Sequence, residues 1–210
     1  MASIDNALTT LSRSKSYLDI TGTAKDLILT MLILAASKYV EETKCHRKFK
    51  RQTFTNELYN GKGPKRLWLK NPPIISGQTL TLQERVNTAN DGDWDTVDSE
   101  DYFVDYDKGC LTMVAGVFAE GVQNYRVTYT GGYYLPSASE YQDGTNDDQD
   151  LPYDLELAVL DLVSAMYTDR NSGGIAREKV GQVEVEYVTE AAEDPVIKRT
   201  LDKYARPAYA

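Results

Sequence analysis

The stretch "LILAASKYVEETKCHRKFKRQTFT", Leu32 to Thr55, changes its periodicity along its length. Its first half belongs to a helical pattern running from about Ala24 to Lys44, in which Ile28, Met31, Leu32, Ala35, Tyr39 and Val40 recur at helical spacing. From Lys48 the pattern becomes that of strands and turns. Helical spacing returns at about residue 151. The expected fold class is therefore α+β: a helical bundle, made of N-terminal helices and a helix over about 151–169, with an antiparallel β region inserted.

The helix of the opening stretch is apolar nearly all round, because Leu27, Leu29, Ile33 and Leu34 fill the rest of its circumference. Such a helix needs cover on several sides, from its own bundle or from neighbouring subunits. Ahead of it, residues 4–18 are expected to form a short amphipathic helix on Leu8, Leu11 and Leu18, ended by "ITGT".

Within the β region, "FKRQTFTNELYNGKGPKRLWLKNPPII" predicts two short strands joined by the "NGKGP" turn, with Pro72-Pro73 ending the second. "QTLTLQERV" alternates as a strand does. "DYFVDYDKGCLTMV" predicts a hairpin through Asp107-Lys108-Gly109, with Tyr102, Val104 and Tyr106 on one face. In "NYRVTYT" the residues Tyr125, Val127 and Tyr129 share a face, and Tyr125 and Tyr129 are expected in the core. Gly131 and Gly132 end that strand and permit a tight reversal, which leaves Tyr133 and Tyr134 as contact residues.

The expected organisation is 1–46 as the N-terminal helical part, 47–131 as the inserted β region, 132–150 as an acidic loop and 151–210 as the closing part. The loop has few apolar residues and is expected to be mobile in a free subunit. In "DLPYDLELAVLDLVSAMYTDR" Pro152 suits a first helical turn, Leu155, Val159, Leu162 and Met166 form a stripe, and "NSGG" stops the helix. "QVEVEYV" alternates, and "DPVIKRTLDKYARPAYA" supplies a short helix and a tail.

Charge is unevenly placed. Residues 44–70 hold nine Lys/Arg against the single acid Glu57, whereas Val127–Asp169 holds nine Asp/Glu and no Lys or Arg. The net charge of -9 argues against wrapping nucleic acid with the whole surface. Two cysteines are too few for a disulfide scaffold, and they are expected to be reduced. The N-terminus lacks the apolar core of a signal peptide, and "LILTMLILAA" is too short for a bilayer, so a soluble protein with no membrane partner is expected.

No chemistry emerges from the motifs. The single histidine, His46, adjoins Cys45, and adjacent helical positions point about 100° apart, which suits no nucleophile–base pair. With three His/Cys residues in all, no zinc site is expected. "DGDWDTVD" has Thr96 and Tyr102 where a calcium loop needs glycine and glutamate, and "DGTNDDQD" fails similarly. "GKGPKR" lacks the phosphate-loop pattern. No enzyme, cofactor or metal is expected. Surface remains: the basic segment and exposed aromatics suit protein contact.

The order of five motifs carries a resemblance. They are the opening stretch itself, "RLWLKNPPI", "DYFVDYDKGCL", "VTYTGGY" and "LPYDLELAVLDLVSAMYTDR". Together, from about Leu8 to Arg170, they resemble the head–tail connector (adaptor) proteins of tailed double-stranded-DNA bacteriophages. The resemblance implies a homo-oligomeric ring, commonly of twelve subunits, under the portal protein. It implies a channel through which double-stranded DNA passes without specific binding, and a docking place for a head-completion, stopper or tail-terminator protein. The expected location is the virion neck, with the host cytoplasm during assembly.

In that setting the expected subunit or partner contacts are Lys62, Lys65, Arg66, Trp68, Lys70, Tyr133, Tyr134, Leu29 and Ile33. The basic segment would face an acidic partner surface, so reversing Lys65, Arg66 and Lys70 to Glu is expected to abolish portal binding. The alternative is a β module that holds carbohydrate or a host surface through Trp68, Trp94 and the tyrosines. A hydrolase using acidic loop residues has no motif behind it.

Overall fold

The computed structural model describes residues 6–86, 93–137, 150–172, 177–180, 183–186 and 194–206. The first helix, α1 (Leu11–Tyr17), starts later than its sequence suggests. Thr10 caps it by accepting from the Arg13 amide at 3.2 Å, and the preceding Leu8 amide donates to Ser37 Oγ at 3.0 Å. Leu8 is thus buried as part of an irregular entry segment rather than on a helix.

The opening stretch forms α2 (Asp26–Lys38) and continues as a π-helical turn over Tyr39–Lys44, closed by the Cys45 amide donating to Val40 O at 2.8 Å. Its buried face is Leu29, Ile33, Ala36, Ser37 and Val40. The expected stripe is displaced from this face, since Met31 and Ala35 are exposed. α3 (Tyr153–Ser172) starts after Pro152, whose carbonyl accepts from the Glu156 amide at 3.1 Å. Leu155, Val159 and Leu162 are buried as the stripe requires, and Met166 is half-buried. α4 (Pro195–Tyr204) has proline in its first turn, and Asp194 caps it by accepting from Val196 N at 2.7 Å.

These helices belong to one compact unit, Met1–Phe49 with Tyr134–Ala205. α2 packs on α1 and α3, and α4 packs on α3 and the π turn. Glu156, 4% exposed, ties α3 to the N-terminal segment: it accepts from Thr9 Oγ1 at 2.9 Å and from Arg13 Nη1 at 2.5 Å. Two short antiparallel strands, Arg177–Val180 and Val183–Glu186, pair in this unit, the first in a charged segment that shows no alternation.

The second unit is Lys50–Tyr133 with Arg206–Ala210. Its long strands are β1 (Gln52–Gly61) and β7 (Gly121–Gly131), antiparallel partners in a four-stranded sheet of order β1-β7-β3-β4 with β3 (Thr81–Arg85) and β4 (Trp94–Thr96). A second sheet has the order β2-β6-β5, from β2 (Arg66–Trp68), β5 (Tyr102–Asp105) and β6 (Cys110–Met113). β5 and β6 make the expected hairpin, with Asp105 opposite Cys110. β1 and β2 do not pair with each other: the "NGKGP" segment carries the chain from one sheet to the other.

Both sheets contribute to one core, with Tyr59, Leu82, Tyr125, Val127 and Tyr129 from the first and Leu67, Tyr102 and Leu111 from the second. Gly131 serves close approach here, because a Cβ would stand 2.4 Å from Asn71 O, and Gly132 at φ +98° takes the turn. The calcium-like segment is only partly described, from residue 93, and residues 138–149 of the acidic loop lie outside the described residues.

A polar network is set into this core. Tyr59 and Tyr129 both donate to Glu57 Oε2, at 2.5 and 2.8 Å, and Asn71 Nδ2 donates to the Tyr129 hydroxyl at 3.2 Å. Burial, then the Glu57 charge, pushes the Tyr129 phenol well above its usual 10, and burial first does the same for Tyr59. Tyr125 is pushed up to about 12, burial again being the largest cause.

Unfolded phenols ionise near pH 10 while these remain protonated in the fold. Their stabilisation is intact below pH 10 and is lost as pH rises beyond it. The expected slope is about 1.4 kcal/mol per pH unit for each phenol that stays protonated in the fold. Urea unfolding followed by tryptophan fluorescence from pH 9 to 12 checks this. A midpoint that stays flat across that range would contradict it.

Candidate docking site

Five residues of the basic segment meet in one concavity on the β unit. Gly61 makes it: its missing Cβ lets the Ala119 carbonyl lie against the end of β1, and Gly63 at φ +89° turns the chain toward β2. The connection is then pinned by backbone bonds, Gly63 N to Phe118 O at 2.9 Å, Phe118 N to Pro64 O at 3.1 Å and Met113 N to Lys65 O at 2.9 Å. The concavity beside it has a volume of about 770 Å³. Lys62, Lys65, Arg66, Trp68 and Lys70 line it, with apolar wall from Leu58, Pro64 and Leu67. Arg206, which belongs to the same unit, also lines it. Among the described residues, no carboxylate does.

The cations differ in what holds them. Lys70 is structural: its Nζ stands 3.4 Å from Glu57 Oε1, donates to Leu58 O at 3.2 Å and lies 4.8 Å over the Tyr59 ring. Lys65 and Arg66 are exposed, and among the described residues neither makes an ion pair. The Arg206 Nε is buried with no hydrogen-bond partner among the described residues. Asn60 and Gln123 also line the concavity, and the Gln123 amide donates to Asn60 Oδ1 at 2.7 Å. The pairing of β1 with β7 is what brings Gln123 there, and no local signal in the sequence announces that.

The other expected contact residues lie elsewhere. Leu29 and Ile33 are 0% exposed within the chain's own helical core, so neither is available to a neighbour. The free apolar positions of α2 are Leu27, 77% exposed, and Met31, 59% exposed, one turn apart. Tyr133 and Tyr134 are half-buried rather than bare, and Tyr133 O accepts from the Arg51 amide at 2.8 Å. The guanidinium groups of Arg85 and Arg126 lie over the Trp94 ring, 4.8 and 4.5 Å from its centre.

Cys45 and His46 point apart, the thiol buried and the imidazole exposed at a backbone φ of 51°. Burial pushes the Cys45 thiol up to about 12, which removes it as a nucleophile. Among the described residues, no group of three His, Cys, Asp or Glu comes together as a metal site, and no helix is long and apolar enough to cross a membrane.

The family model for head completion proteins matches residues 7–206. The chain belongs to the head completion protein family, and so to the head–tail connectors whose motif order it carries. Its place is the virion, at the head–tail interface, and its role there is structural. Its fold is shared with a chain in the neck of an empty GTA particle computed with C6 symmetry, at 15% identity and a TM-score of 0.56 over 95% of this chain and 92% of that one. A chain in the neck of a native GTA particle computed with C12 symmetry is similar at 17% identity and a TM-score of 0.53, over 95% and 91%. No curated protein matches the chain in sequence.

Proposed function

We propose that this chain forms a ring of twelve copies beneath the portal protein, where it prolongs the DNA channel and offers a docking face to a stopper, head-completion or tail-terminator protein. Family membership across residues 7–206 carries the reading. The fold shared with chains from particle necks, one of them computed with C12 symmetry, supports it.

The physics is compatible with a ring. Leu27 and Met31 expose two large apolar side chains on one helix face, an arrangement that a neighbouring subunit would cover. A chain of net charge -9 gives the channel a wall that repels phosphate, so DNA passes without adhering. The basic concavity meets an acidic protein surface in the assembled state.

Native mass spectrometry of the chain with purified portal protein tests the proposal. Portal carrying twelve added chains is the expected species. Portal that stays bare at micromolar chain would overturn it. The double variant Lys65→Glu/Arg66→Glu is expected to keep its urea midpoint, because both side chains are exposed. Its assembly on the portal should weaken by roughly tenfold or more, read as the chain concentration needed for half-occupancy. Lys70 is left in place in that variant because it holds Glu57 and Tyr59.

A further inference from the structure

We infer that the basic concavity of the β unit takes the acidic segment Glu140–Asp150 of a second copy of this chain. The inference rests on the ring reading and names the partner of the concavity within it. The segment carries Glu140, Asp143, Asp147, Asp148 and Asp150 and no cation, inside a stretch from Val127 to Asp169 free of Lys and Arg. The concavity presents Lys65 and Arg66 without ion pairs, an Arg206 Nε without an acceptor, and no carboxylate among the described residues.

The complementarity extends past charge. The concavity mixes its cations with Leu58, Pro64, Leu67 and Trp68, and the segment holds one aromatic, Tyr141, among its carboxylates. Duplex DNA fits less well, because tracking a phosphate backbone needs a basic stripe, whereas these cations are confined to one hollow on a chain of net charge -9. The two surfaces are different and both belong to one chain. Their contact is therefore heterologous, the kind that closes into a ring when the rotation between copies allows.

The test uses a fluorescein-labelled peptide spanning residues 138–151. Its receptor is the full chain carrying Asp143→Asn, Asp147→Asn and Asp148→Asn, so that the receptor's own segment does not compete. Saturable binding by fluorescence anisotropy is expected. It should weaken about tenfold or more when Lys65→Glu/Arg66→Glu is added, and weaken strongly at about 0.5 M salt. No saturable binding, or equal binding to the charge-reversed receptor, would overturn the inference. So would displacement of the peptide by a short DNA duplex at lower concentration, which would make the hollow a phosphate site. If the peptide fails while rings still assemble on the portal, the inference falls and the ring stands. If the peptide binds and no ring ever assembles, the docking pair holds and the ring reading falls.

Discussion

Gly61→Ala is expected to destabilise the β unit by about 3–4 kcal/mol, through overpacking against backbone. A Cβ at this position would stand 1.7 Å from the Ala119 carbonyl oxygen and 2.8 Å from the Tyr125 ring. Neither neighbour can give way cheaply. Asn124 bonds both sides of the contact, accepting from the Gly61 amide at 2.7 Å and donating to Ala119 O at 2.9 Å. The Tyr125 hydroxyl accepts from the Ala119 amide at 2.9 Å and donates to Glu84 Oε1 at 3.0 Å. Moving Ala119 therefore breaks its bonds to Asn124 and Tyr125 of β7, and Asn124 is the side chain that also holds the Gly61 amide at the end of β1.

Both tryptophans, Trp68 and Trp94, lie in the β unit, so fluorescence-monitored urea unfolding reports on it directly. The midpoint should fall by roughly 2 M. A shift within experimental error would mean that the corner is not packed as described.

The second large effect separates the two faces of α2. Leu29→Ala and Ile33→Ala should each cost about 2–5 kcal/mol, because both side chains are at 0% exposure and their removal leaves a cavity. Leu27→Ser and Met31→Ser should change stability by about 0.5 kcal/mol or less, since both positions face solvent in the single chain. Far-UV circular dichroism during urea unfolding reads the difference through the helices. Assembly should invert the order: the double Leu27→Ser/Met31→Ser variant keeps its fold and loses ring formation. The opposite pattern, with Met31 critical for folding and Leu29 dispensable, would place the core on the wrong face.

That reversal explains what the sequence could and could not disclose. β7 was legible because its neighbours on both sides bury one face, and period-two alternation is then forced on Tyr125, Val127 and Tyr129. α3 was legible for the same kind of reason, with Leu155, Val159 and Leu162 on one stripe. α2 was legible as a helix but not as a face, because a run from Leu27 to Leu34 that is apolar except for Thr30 leaves periodicity little contrast. Which side is buried was decided by α1 and α3, and that information is tertiary.

The turn between β1 and β2 left the pairing of its strands open for a related reason. Asparagine and glycine mark a change of chain direction whether the next strand pairs back or crosses to another sheet. β1 pairs instead with β7, about seventy residues away, and no local signal encodes such a partner. The π turn after Lys38 likewise has no local mark. Of the concavity, the part contained within residues 62–70 was visible as a charge run. Gln123 and Arg206 reach it through the fold.

Electron microscopy of the portal incubated with this chain tests the central claim most directly. The expected image is a second ring of twelve chains beneath the portal, coaxial with it and open at its centre. Portal rings that remain single at saturating chain, with the chain free in solution, would contradict the account.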